Sequence, residues 1–191
     1  MEQLQATRQD RFTWIAGAHD VRLPLTRIQQ RPDSSAFWID SQFISMLAVY
    51  RPSGGIARCH EVEARLAARL KVGRQGLTRW LHDCEVFAFE WRQEAWMPVF
   101  QLESTTLTPR SGVQQIADEL RPVFDSWELA VWFAEPNASL DGHAPVACID
   151  HDRSAVRQAA RMDRQAYDNA RNALARNLSH NKPAARFAIQ G

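Results

Sequence analysis

Three short clusters in the 191-residue sequence place reactive side chains close together. His82, Asp83 and Cys84 are consecutive, Cys148 stands just ahead of His151, and His143, Cys148 and His151 together offer imidazole and thiolate donors. Nucleophilic catalysis needs a base within hydrogen-bond reach of the nucleophile and a third group to orient the base, and adjacency in sequence supplies neither. Zinc sites carry their ligands at recognisable spacings, and His143, Cys148 and His151 match none of them. Cys59, Cys84 and Cys148 form no CxxC pair and no disulfide framework, so they read as small buried hydrophobes. No residue is assigned a catalytic or metal-binding role, no cofactor is expected, and the chain reads as a protein that acts by binding rather than as an enzyme.

Binding chemistry is better represented. Of 23 basic residues only Lys71 and Lys182 are lysine, so arginine, whose planar fork suits phosphate and carboxylate oxygens, carries nearly all the positive charge. The net charge of +1 conceals a division: residues 1–80 hold 12 basic and 7 acidic groups, residues 81–152 hold 3 and 13, and residues 153–191 hold 8 and 2. Either the three segments neutralise one another within one fold, or the acidic middle and the basic ends face different partners. In the first segment Arg74, Gln75, Thr78 and Arg79 are of the types that contact phosphates and base edges, although a solvated helix face carries the same types. In the middle, Asn137, Asp141 and His143 are polar residues in a turn cluster suited to meeting a partner. Arg153 and Arg157 open the basic last segment.

The elements that must position these residues follow from periodicity. A chain with 45% hydrophobic residues is sized for one or two domains. It has no apolar run of eighteen residues, and "MEQLQATRQDRF" is charged where a secretory leader would turn apolar, so a cytoplasmic protein with no membrane partner is expected. Residues 1–36, interrupted by Pro24 and Pro32, read as an arm. Phe37, Ile39, Phe43, Met46, Leu47 and Tyr50 predict a helix capped at Asp40 or Ser41 and stopped by Pro52, Gly54 and Gly55. Val62, Leu66, Ala67 and Leu70 lie on one helical face, "KVGRQ" is a turn, and Leu77, Trp80 and Leu81 begin a second face. "EVFAFEW" and "WMPVFQLE" then alternate as strands of a hairpin around "RQEA". Val113, Ile116, Ala117 and Leu120 predict one helix, and "SWELAVWFA" another, capped by Ser126, buried through Trp127, Ala130, Val131 and Ala134, and ended by Pro136. A last helix over 154–178 carries Ala155, Ala159, Met162, Ala166, Ala170 and Leu174 at helical spacing, a thin stripe suited to close packing, with a second copy as one partner it would fit. The expectation is a mainly α protein with one hairpin, organised as an arm and helix (1–57), a helix-turn-helix-like unit with hairpin (58–102), a helical domain (103–165) and a basic extension (166–191).

Two resemblances attach to these segments. "EARLAARLKVGRQGLTRWLHDCEVFAF" resembles the excisionase-like winged helix-turn-helix, which implies DNA contact through Arg74, Gln75, Thr78 and Arg79. "VFDSWELAVWFAEPNASLDGHAPVACIDHDRSAVRQAARM" resembles the toxin-binding domain of the Xre, MbcA and ParS antitoxins, carried by Trp127, Trp132, Pro136, Asn137, Leu140, Gly142 and Pro145, and "VFAFEWRQEAWMPVFQLE" is similar to the hairpin and Pro-x-Phe-Gln element that precede it. This second resemblance implies an antitoxin-like, homo-oligomeric protein that silences a RES-domain, NAD-degrading toxin. Trp127, Trp132, Pro136, Leu140, Gly142 and Pro145 would anchor the fold, and Asn137, Asp141, His143, Arg153 and Arg157 would contact the toxin. The competing expectation is a stand-alone DNA-binding regulator that uses the domain for dimerisation.

Overall fold

The computed structural model describes residues 32–70 and 75–180, so the expectations for the N-terminal arm, for the turn at 71–74 and for the chain beyond 180 fall outside the described residues. Two units, Met1–Asp40 and Ser41–Gly191, divide the chain, and the first contributes the opening turns of helix α1 (Pro32–Tyr50). This helix begins eight or nine residues before the expected cap at Asp40 or Ser41. Proline is pre-set for a first helical turn and its missing N–H has no partner to lose there, so Pro32 starts the helix instead of barring it. Phe43, Met46 and Tyr50 are buried while Leu47 is exposed. The chain then turns through a short 3-10 segment (Arg51–Ser53) into Gly54, whose φ of 102° favours glycine and where a Cβ would sit 3.1 Å from Val99 Cγ1.

Strand β1 (Ile56–Arg58), helices α2 (Cys59–Leu70) and α3 (Gln75–His82), and strands β2 (Phe89–Trp91) and β3 (Glu94–Pro98) follow. The antiparallel sheet has the order β1-β3-β2, with Ala57 opposite Met97 and Phe89 opposite Trp96. The hairpin was expected, but β1 was not, because three residues are too few to show alternation. Arg92 and Gln93 both have positive φ, 49° and 64°, the geometry of a two-residue turn that matches the twist of the flanking strands. Val62, Leu66, Leu77, Val86, Met97 and Leu102 form the core beneath the helices and sheet.

The expected second strand is cut short at Pro98, and Val99–Gln101 coil into a 3-10 turn. Gln101 explains the break. Its buried amide accepts from Phe87 N at 2.7 Å and donates to Phe87 O at 2.9 Å and Pro98 O at 3.0 Å, replacing the ladder partners that a longer strand would have offered.

Helices α4 (Ser111–Leu120), α5 (Ser126–Ala134), α6 (Pro145–Cys148) and α7 (Arg153–His180) complete the fold. Every residue of α5 from Trp127 to Ala134 is buried, so it is a central helix rather than the one-sided amphipathic helix that was expected. Its cap is Asp125, not Ser126. The Asp125 side chain accepts from Glu128 N at 2.9 Å and Glu128 Oε2 accepts from Asp125 N at 2.7 Å, a reciprocal pair that also satisfies the buried Glu128 carboxylate. Tyr50 Oη donates to Ala130 O at 2.6 Å, fixing the end of α1 to the middle of α5. Phe133 stacks with Phe87 and tilts against Phe100, and Trp127 meets Phe89 edge-on. The 58–102 and 103–165 segments therefore share one core.

On α7, Val156, Ala159 and Ala160 are fully buried, whereas Met162 and Leu174 are 49% and 54% exposed. The fully buried part of the helix is thus its first two turns, and the expected stripe through Met162, Ala166 and Leu174 faces outward.

Candidate functional site

The string between α5 and α6 folds into a small closed loop. Glu135, extended, ends α5 ahead of Pro136, and Asn137 caps a 3-10 turn (Ala138–Leu140) by accepting from Ser139 N at 2.9 Å. Asn137 N donates to His143 O at 3.1 Å and Gly142 N donates to Asn137 O at 2.9 Å, which brings the two ends of the loop together. The reversal uses two left-handed residues, Asp141 at φ 53° and Gly142 at φ 79°; aspartate tolerates this region better than most side chains and glycine adopts it without penalty. Leu140 is buried beneath the loop, and His143 Nδ1, 3.0 Å from the Leu140 carbonyl, meets it as an N–H donor.

One carboxylate ties this loop to the rest of the protein. Asp163 Oδ2 on α7 accepts from both Trp132 Nε1 and Asn137 Nδ2, each at 2.7 Å. The bond gives a nearly buried indole N–H its acceptor and locks loop, α5 and α7 in one geometry. Asn137 is consequently half-buried and hydrogen-bonded through both its amide oxygen and its amide nitrogen, not the exposed residue that its polarity led us to expect. Asp141 and His143 remain exposed on the loop. Trp127 and Trp132 are buried at 9% and 8% exposure, Pro145 is buried at the first position of α6, and Pro136 is exposed.

Arg153 and Arg157 lie away from the loop, against α4. A Cβ at Gly112 would fall 2.5 Å from Arg153 Nε, so that glycine makes room for the arginine. Arg157 Nε is 3.1 Å from Glu119 Oε1, and the same oxygen accepts from Arg161 Nε at 2.9 Å. Burial tends to raise the Glu119 pKa, but the hydrogen bonds from Arg161 and Arg157 outweigh it and hold the carboxyl below its usual value.

Of the DNA-contact candidates, Arg74 lies outside the described residues and Gln75 opens α3. Thr78 and Arg79 are exposed while Leu77 is buried, so α3 presents these two outward. Arg79 Nε is 3.3 Å from Asp83 Oδ2, and His82 Nδ1 is 2.9 Å from the other oxygen. The His82 bond first, and then Arg79, lower the Asp83 pKa, so the positive charge of Arg79 stands beside a carboxylate rather than alone. At the hairpin tip, Arg92 lies 4.6 Å over the Trp91 ring, which stacks on Phe43 at 3.9 Å.

Cys84 does not join the His82–Asp83 pair. Cys84 Sγ lies 4.0 Å from the His82 carbonyl rather than on its ring, and burial, followed by the charge of Glu63, pushes the Cys59 thiol up to about 11. Among the described residues no three His, Cys, Asp or Glu side chains converge on a metal position, and no helix is long and apolar enough to cross a membrane. Sequence reasoning missed Asp163 and Glu119, and it met Gln101 only as the last residue of the Pro-x-Phe-Gln element. The first had one visible signal, a lone acid in the arginine-rich opening of α7. Comparison of the chain with protein-family models, curated proteins and solved structures gives no match in any of the three.

Proposed function

We propose that this protein is an antitoxin-like binder that neutralises a RES-domain, NAD-degrading toxin through the face that carries the 135–145 loop. The observation that supports the reading is the closed loop itself: its ends are bridged, Asp163 holds it to α5 and α7, and it presents Asp141 and His143 to solvent. A surface fixed before binding spends little free energy on ordering when a partner arrives. The test is co-expression of the chain with the product of the neighbouring gene, followed by co-purification and measurement of cellular NAD. Survival of NAD in the presence of the wild-type chain, and its loss with Asp141→Ala and His143→Ala together, is the expected outcome. A neighbour that neither co-purifies nor consumes NAD would refute the reading.

A second reading, a DNA-binding regulator, draws on the element order. The succession of α1, β1, α2, α3 and the β2–β3 hairpin, closed by a β1-β3-β2 sheet, is that of a winged helix, with α3 in the place of the recognition helix and Arg92 at the wing tip. Retention of promoter DNA by the chain, weakened by Arg79→Ala and Arg92→Ala, is the outcome that this reading requires.

A further inference from the structure

Arg153, Arg157, Arg161, Arg164 and Arg171 fall on one side of α7, within about 80° of arc at 3.6 residues per turn. From first to last they span about 27 Å at 1.5 Å per residue. Asp168 shares the arc, and Glu119 approaches it from α4. Five positive charges thus stand against two negative ones, and Asp118, the next acid on α4, is already paired with Arg121 at 3.0 Å. Met162 and Asp163, which the 137–143 loop touches, lie outside this arc.

Glu119 organises the ridge. Arg157 and Arg161 both bond its Oε1 through Nε, and Arg164 Nη1 lies 3.8 Å from its Oε2. A guanidinium held by Nε keeps its terminal amino groups for a second anion, and its side chain has already given up part of its rotamer freedom. The three arginine side chains are nonetheless 42%, 51% and 42% exposed, so they remain open to solvent.

We propose that this ridge on α7, braced by Glu119, is a phosphate-binding surface for the backbone of double-stranded DNA, separate from α3 and from the 137–143 loop. A straight row of arginines, about 4.5 to 6 Å apart from Arg153 to Arg164 and about 10 Å from there to Arg171, complements a linear polyanion whose strands carry a phosphate every 3.4 Å or so of rise. The contact reads no sequence, because bidentate guanidinium–phosphate bonds touch only the backbone. It favours paired strands because no aromatic side chain stands on the ridge to stack unpaired bases; Tyr167, beside it, is turned edge-on to Phe124.

The test uses the full chain and fluorescence anisotropy with a DNA duplex of mixed sequence, titrated across salt concentrations. Each phosphate contact contributes about 0.9 to the log-log salt slope, so Arg157→Ala, Arg161→Ala and Arg164→Ala combined should lower the slope by about 2.7. Arg171→Ala, more than a turn beyond the Glu119 cluster, should lower it by about 0.9 and keeps the test decisive if the triple variant folds poorly. Absence of duplex binding by the wild type, or slopes unchanged in both variants, overturns the proposal. Equal affinity for a single strand of the same length overturns its preference for duplex. Variants that bind duplex normally but lose the toxin would make the ridge a protein contact instead. The DNA titration contains no toxin, so its outcome is independent of the antitoxin reading.

Discussion

Replacing Asp163 with alanine should be among the most damaging single changes on the surface of α7. The carboxylate takes two hydrogen bonds at 2.7 Å, from Trp132 Nε1 and Asn137 Nδ2. A hydrogen bond to a charged group is worth about 1.5 to 3 kcal/mol, and a buried donor left without an acceptor costs about 1 to 3 kcal/mol. Trp132 is 8% exposed, so its indole N–H has little access to replacement water. Asp163 itself is partly exposed, which places its share at the low end of those ranges. About 3 kcal/mol is therefore expected, and in a chain of this size each kcal/mol lowers Tm by about 2 to 4 °C, giving a drop of about 6 to 12 °C. Asp163→Asn keeps an oxygen that can accept both bonds without the charge, and should lose less than half as much. Thermal melting followed by circular dichroism and by tryptophan fluorescence measures both variants. An Asp163→Ala protein melting within about 1 °C of wild type would show that the node does not hold the loop, and the case for a pre-fixed binding surface would fall with it.

Other perturbations separate fold from binding. His143→Ala should change Tm by less than about 2 °C, because its side chain is exposed, whereas Asp141→Ala should lower it by about 2 to 4 °C, because alanine tolerates a φ of 53° less well than aspartate; on the antitoxin reading both weaken the toxin complex in a pull-down. Gln101→Ala should cost about 2 to 4 kcal/mol in urea unfolding, since it strands the N–H and C=O of Phe87 inside the core. Trp127→Ala should cost about 3 to 5 kcal/mol by the same measurement. Burial raises the Tyr50 pKa well above 10.0, so its contribution is complete below that pH and is lost as pH climbs toward the folded value. Tyr50→Phe should remove about 1 kcal/mol at neutral pH and flatten the alkaline decline in Tm; an unchanged decline would assign it to other groups.

Much of this fold was legible because its strongest signals are local. The two helices of the 58–102 segment, the hairpin and the arrest of α5 at Pro136 each rest on periodicity or on a residue with restricted backbone angles. The misses have a common cause. Asp125 displaced Ser126 as the cap because its reciprocal bond with Glu128 satisfies a carboxylate that the core would otherwise bury unpaired, and local propensity does not weigh burial. Strand β1 exists only because β3 is beside it. Asn137 looked like a surface residue until Asp163, 26 positions later, supplied the partner that draws it inward. The exposed positions of the loop were readable from polarity alone, but which polar residue is structural depends on a partner that no local pattern marks.

The closed loop also bears on how sequences of this kind can diverge. Asn137, Leu140 and Gly142 are committed to closing it, through a bridge, a buried side chain and a left-handed turn, and Asp141 and His143 take part through a left-handed backbone and a ring bond to the Leu140 carbonyl, whereas Pro136, Ala138 and Ser139 expose their side chains. Framework and outward-facing positions are therefore interleaved within one short segment. Substitution at the outward positions can change the face that the loop presents without touching the residues that keep it shut. On the antitoxin reading, paralogues that share this framework would drift to new partners by point changes alone, with insulation between pairs arising before any change of fold.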